Sequence, residues 1–190
     1  MSAPKPARPR IVYLGNLPEI ARSLASLESV ELVACLVEEG DEEVREIESD
    51  LSGRDVSVHR VRDDSDVRRA LQGYGELAQA VMANFGIILR KPTLRIPMDG
   101  FVNVHFGLLP AYPGRNPLLS ALADGERVLG LTLHRVTERV DDGPILGMRT
   151  LAVGDAPVPH DVFMEMRGLA TVMLNEHLSA LKSPPVGFSR

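Results

Sequence analysis

A single cysteine, Cys35, stands in a chain of 190 residues, so no intramolecular disulfide can form. It lies in the apolar run Val33-Ala34-Cys35-Leu36-Val37, where a buried small hydrophobe is the expectation. No basic run exceeds a few residues, and 21 Lys and Arg against 26 Asp and Glu leave a formal charge of -5. Such a surface does not track phosphates, and a nucleic-acid partner is disfavoured. No stretch is long and apolar enough to span a bilayer. Met1 to Arg10 is rich in Pro and basic groups but lacks the apolar segment of a signal peptide. A soluble, cytoplasmic protein without a membrane partner is expected. Internal repeats and low-complexity segments are missing as well.

What the chain does have is core-forming material, 44% hydrophobic, in an amount that suits one domain. We expect that domain over residues 10–182, between flexible tails at 1–9 and 183–190. Ile11 to Gly15 reads as a buried strand, and Pro18 to Leu27 as a helix with Asn16 available as its cap. Val30 to Val37 and Val56 to Val61 read as strands, Asp41 to Leu51 and Asp64 to Leu71 as helices. The charge run Glu38 to Glu43 is most simply a solvated loop and helix start. Ala78 to Ala83 is a further strand, ending where Asn84-Phe85-Gly86 should turn. Alternating elements of this kind give an α/β fold with a Rossmann-like, mostly parallel sheet and helices on both faces. After Phe101 to His105 (strand) and Asn116 to Ala123 (helix) the pattern changes. Leu129 to Thr137 and Ile145 to Leu151 read as a C-terminal β-loop-β, closed by an amphipathic helix over Pro159 to Leu181.

Residues two apart in a strand share a face, so Asn103 and His105 should project together from the strand's carboxyl end. An amide can donate to a developing oxyanion, and an imidazole can move a proton near neutral pH. On its own the tripeptide is better read as a core histidine beside a turn asparagine. Leu108-Leu109-Pro110-Ala111-Tyr112-Pro113-Gly114 is too apolar for full exposure and too rich in Pro and Gly for a strand, so it should lie over the site with a fixed shape. Asp141, with Gly143-Pro144 pinning the chain behind it, supplies a carboxylate that can orient an imidazole. Arg115 and Asn116 could bind an acceptor's carboxylate or phosphate, or lie free at the surface. His134 divides evenly between lining the site and bonding within the sheet. His59, His160 and His177 lack ligand spacing, and no metal is expected. His105, His134 and Asp141 could in principle hold zinc, but they form no recognised zinc motif.

The run Asn103-Val104-His105-Phe106-Gly107-Leu108-Leu109-Pro110-Ala111-Tyr112-Pro113-Gly114, together with Gly125-Glu126, Gly130-Leu131-Thr132-Leu133-His134 and Asp141-Asp142-Gly143-Pro144-Ile145-Leu146, resembles the 10-formyltetrahydrofolate-dependent formyltransferases. That family takes in glycinamide ribonucleotide transformylase, methionyl-tRNA formyltransferase and amino-sugar formyltransferases. The resemblance implies the formyltransferase fold and 10-formyltetrahydrofolate as formyl donor. It places the family's catalytic set on Asn103, His105 and Asp141, and its second histidine on His134. Phe85, Ile87, Ile88 and Leu89, with Val140 and Asp141, fall where the family receives the pterin ring; without the resemblance, Ile87 to Leu89 would be plain core. Gly107 and Leu108 join Arg115, Asn116 and His134 as acceptor-side candidates.

Two departures stand out, the first bearing on how the loop is hydrogen-bonded and the second on the acceptor. Gly107 stands where many relatives have serine. The first turn, Leu14 to Glu19, lacks the Gly/Ser-rich phosphate cradle of glycinamide ribonucleotide transformylase, and Pro18 removes an N–H while Glu19 adds negative charge. Beyond the last helix the chain is also expected to be too short for the tRNA-holding domain of methionyl-tRNA formyltransferase. The reading is formyl transfer to the primary amine of a small molecule, an amino-sugar nucleotide or an amino acid, free or carrier-bound. A tetrahedral intermediate would be stabilised by Asn103 and His105, with Asp141 assisting proton transfer. Hydrolysis of formyltetrahydrofolate and a non-catalytic folate-binding module are the alternatives. The apolar loops and last helix are compatible with a homodimer.

Overall fold

The computed structural model describes residues 8–181. The expected tails fall outside the described residues except for Arg8 and Pro9, and Pro9 already belongs to the domain: it is buried and its carbonyl accepts from Glu31 N at 2.9 Å.

Seven strands form one sheet in the order β3-β2-β1-β4-β5-β6-β7. They are β1 (Arg10–Gly15), β2 (Glu31–Glu38), β3 (Ser57–Val61), β4 (Gln79–Ala83), β5 (Phe101–His105), β6 (Val128–Arg135) and β7 (Ile145–Ala152). The first five run parallel, while β6 and β7 add antiparallel. The central strands are buried on both sides, which is why β1, β2 and β4 read as unbroken apolar runs.

Alternation along those runs sorts side chains into two cores. Ile11, Tyr13, Cys35, Val81, Val102 and Val104 face α1 (Pro18–Ser26), α2 (Val44–Asp50), α5 (Pro117–Ala123) and α6 (Pro159–Ser179). Val12, Leu14, Leu36, Met82 and Phe101 face α3 (Asp64–Gln72) and the short α4 (Lys91–Leu94), a helix the sequence does not advertise. Val162, Met166, Ala170, Met173, Leu174 and Leu178 form the buried stripe of α6. Their three- and four-residue spacing keeps them on one side, as expected of an amphipathic helix.

Three expectations need correction. Asn16 does not cap α1, because Leu17 holds the cap position and its own side chain makes no capping bond. Instead the buried Tyr13 hydroxyl accepts from Leu17 N at 3.1 Å. The helix expected from Asp41 begins at Val44, since Asp41 Oδ1 holds Glu43 N at 3.0 Å in a turn before it. β6 ends at Arg135 rather than Thr137, and Val136 N turns away to Phe101 O at 2.9 Å.

Candidate active site

Phe101 packs into the α3/α4 core, so Asn103 and His105, two and four residues on, emerge on that same side. The antiparallel β6 then brings His134 directly opposite Asn103, and Thr132 opposite His105. Asn103 Nδ2 lies 3.2 Å from His134 Nε2, and the two imidazole rings stand 6.4 Å apart between centroids, nearly perpendicular. Cross-strand pairing therefore assembles an amide and two imidazoles from two strands.

Asp141 completes the group from the loop between β6 and β7. Its Oδ2 is 3.5 Å from His105 Nδ1 and its Oδ1 is 3.5 Å from His134 Nε2. Gly114 N donates to Oδ2 at 2.8 Å, fixing the carboxylate between the rings. Burial alone would raise the Asp141 carboxyl. The bond from His134, the Gly114 N–H and the charges of the two imidazoles outweigh it and hold the group below the ordinary range. Asp141 sits at φ 53°, a left-handed conformation that Asp tolerates better than most residues. Behind it Gly143 passes so close to β6 that a Cβ would overlap the Arg135 carbonyl oxygen. Only glycine permits this hairpin, and the hairpin aims Asp141.

The ring nitrogens have distinct duties. A main-chain carbonyl can only accept, so His105 Nε2 donates to Tyr112 O at 2.6 Å, which leaves Nδ1 as the nitrogen facing Asp141. In the same way His134 Nδ1 donates to Arg135 O at 3.0 Å. Its Nε2 then accepts from Asn103 when neutral, or donates to Asp141 when protonated.

The loop carrying Tyr112 is anchored by the buried Thr132, whose hydroxyl accepts from Leu109 N at 3.0 Å and donates to Gly107 O at 2.7 Å. Gly107 and Leu108 lie beside the cleft wall rather than in it. Gly107 lies between structural groups: a Cβ would come 2.6 Å from Pro117 Cβ and 3.0 Å from His105 Nε2. Leu108 packs over Gly130, where any larger residue would collide with it.

Asn103, His105, His134 and Asp141 open on a cleft of about 670 Å³. Phe85, Ile87, Ile88, Leu89 and Val140 line it, as do Arg115 and Asn116 at its exposed rim. Ile88 and Val140 hold 67% and 59% of their surface open, too much for core residues. Among the described residues the backbone N–H and C=O groups of Ile87, Ile88, Leu89 and Val140 make no hydrogen bond. Apolar faces beside unused backbone donors and acceptors suit a flat heteroaromatic ring with a polar edge. Three residues not expected at the site, Asn16, Glu38 and Asn84, form part of the wall. Among the described residues, no helix is long and apolar enough to cross a membrane and no group of three or more His, Cys, Asp or Glu is placed to hold a metal ion.

Residues 21–161 match the family model described as formyl transferase. Methionyl-tRNA formyltransferase from Methylococcus capsulatus is 39% identical over 101 residues, 53% of this chain and 33% of that protein. The enzyme of that name from Roseiflexus is 41% identical over 81 residues, covering 43% and 23%. The chain thus spans about a third of the length of the curated relatives it matches. Among solved structures, phosphoribosylglycinamide formyltransferase from Bacillus halodurans superposes with a TM-score of 0.79 at 18% identity, over 95% of this chain and 100% of that one. A formyltetrahydrofolate deformylase from Pseudomonas syringae gives 0.75 at 20% identity, over 90% and 61%. At such identities these likenesses speak to the fold.

Proposed function

The chain belongs to the formyl transferase family, and from that premise we propose that it moves a formyl group from 10-formyltetrahydrofolate to a primary amine of a small acceptor. One observation carries the proposal: a single carboxylate sits between two imidazoles, with an amide beside them, on the floor of a cleft lined by apolar, hydrogen-bond-free backbone. The segments around Ile87 to Leu89 and Val140 would take the pterin, reading its edge through the backbone. The donor's formyl carbon would then lie over Asn103 and His105.

As an unprotonated amine attacks, negative charge grows on the formyl oxygen of the tetrahedral intermediate. The second Nδ2 hydrogen of Asn103 and a protonated His105 Nδ1 are the donors to receive it. Asp141 holds His105 and takes up the proton that the amine sheds, directly or through a water, and as the bond from the formyl carbon to N10 breaks, His105 passes its own proton to N10 of the departing tetrahydrofolate. His134, whose Nε2 accepts one Nδ2 hydrogen of Asn103, holds the amide's other donor toward the cleft. The acceptor is an amino-sugar nucleotide or an amino acid, free or carrier-bound; the charge of -5 favours a small molecule over tRNA.

Calorimetric titration with 5-formyltetrahydrofolate tests the donor site, and release of tetrahydrofolate from the 10-formyl compound across a panel of primary amines tests the reaction. Binding together with amine-dependent release is the expected result. Formate release independent of any amine would replace transfer with hydrolysis. Binding without turnover would leave a folate-binding module, and no binding at all would end the proposal.

A further inference from the structure

One wall of the cleft has a polarity that the transfer chemistry does not require. Asn16 follows β1, Glu38 ends β2 and Asn84 follows β4, so the parallel sheet delivers all three to the same rim. Asp41 sets the direction of what they present. Its carboxylate can only accept, so Asn16 must offer its NH2 group, at 2.5 Å, and turn its carbonyl oxygen outward. That oxygen accepts from Asn84 Nδ2 at 2.7 Å. Asn84 has therefore spent its donor edge toward Asn16, and its Oδ1 is left without a partner among the described residues.

Glu38 adds a second oxygen of the same kind. Its Oε1 accepts from Gly86 N at 2.5 Å, while Oε2 has no hydrogen-bond partner and the carboxylate no cation among the described residues. Its neighbour Glu39 differs, lying 3.5 Å from Arg62.

The adjoining N-terminus of α1 is closed to anions. Tyr13 OH occupies Leu17 N, Pro18 has no N–H to give, and Glu19 brings a carboxylate that Arg167 grips through two bonds. This wall presents acceptors and negative charge.

Resting on the formyl-transfer reading above, we propose that the wall of Glu38 and Asn84 selects an acceptor with a second, protonated nitrogen, a diamine or diamino acid, over one with a phosphate in that place. The nitrogen to be formylated must be unprotonated, whereas the second stays an ammonium with three donors, enough for Glu38 Oε2 and Asn84 Oδ1 together. A phosphate there would meet oxygen lone pairs and a like charge.

Calorimetry on the parent protein and on Glu38→Gln tests this, with 1,4-diaminobutane, n-butylamine and O-phosphoethanolamine as probes and 5-formyltetrahydrofolate titrated separately. Glutamine keeps an oxygen for Gly86 N, so the loop is preserved while the charge is lost. On the parent the diamine should bind about tenfold more tightly than the monoamine, the size of a hydrogen bond to a charged group. Glu38→Gln should erase most of that advantage and leave folate binding unchanged. Asp41→Asn, which frees the two amides to flip, should erase part of it. Equal affinities for the two amines, tighter binding of O-phosphoethanolamine, or an advantage that survives Glu38→Gln would each overturn the proposal. Loss of folate binding in the parent would count instead against the formyl-transfer reading.

Discussion

Replacing Asp141 by asparagine removes one negative charge and little else. Asparagine accepts the same left-handed backbone, and its Oδ1 can still take the Gly114 N–H. Two imidazoles at 3.5 Å lose their counter-charge. At an effective dielectric near 20, a unit charge pair at that distance interacts by about 5 kcal/mol. The site opens on a cleft, so solvent screens part of this. Even half of it, about 2.5 kcal/mol, corresponds to about a hundredfold in rate, at the lower end of the ~10²–10⁴ typical of a lost acid/base group. Asparagine keeps the Val140–Asp141 backbone that borders the donor slot, so the loss should fall on kcat with KM for the folate little changed. Single-turnover release of tetrahydrofolate, measured from pH 5 to 9 beside a thermal melt, is the assay. An Asp141→Asn protein that melts like the parent and turns over within threefold of it at every pH would refute the reasoning.

Three further outcomes follow from the same geometry. The Asp141 carboxyl is depressed in the folded state, so the stability it contributes is complete above its unfolded value near 3.9 and is lost as pH falls through the lower folded one; chemical denaturation should therefore show parent and Asp141→Asn converging below about pH 4, and a constant gap would contradict this. Gly107→Ser forces a Cβ against Pro117 and His105, and overpacking of about 1–3 kcal/mol should lower Tm by about 2–10 °C while loosening the His105–Tyr112 bond and slowing turnover at least about tenfold. A melt and rate equal to the parent's would show that the loop yields freely. Cys35 is fully buried and its thiol is pushed up to about 12 by that burial, so a thiol reagent at pH 8 should label it only after denaturation; rapid labelling of the native protein would be inconsistent with the packing of β2.

The legible parts of this molecule were those governed by local rules. Strand alternation alone puts Asn103 and His105 on one face, and unbroken apolar runs mark β1, β2 and β4 as interior strands. Asp141 is 36 positions from His105, so no periodicity links them. It was the ordered set of motifs, read as a family resemblance, that joined the two. His134 was ambiguous until the register set it opposite Asn103. Side-chain bonds across loops left no trace in the pattern. Asn16 looked like a helix cap, and Glu38 and Asp41 looked like members of a solvated run, because their partners lie 25 to 68 residues apart in sequence. Leu108, which belongs to the motif, packs against Gly130, a contact between residues 22 positions apart that no local pattern marks.

The segment from Gly107 to Gly114 is stapled to β6 by one threonine hydroxyl, and from it come both the carbonyl that fixes His105 and the amide that fixes Asp141. Imidazole and carboxylate are thereby set by a common jig and cannot be tuned one at a time. A change as remote as Thr132→Val would slacken both together, so variants of this protein should divide into aligned and misaligned forms with few intermediates between them.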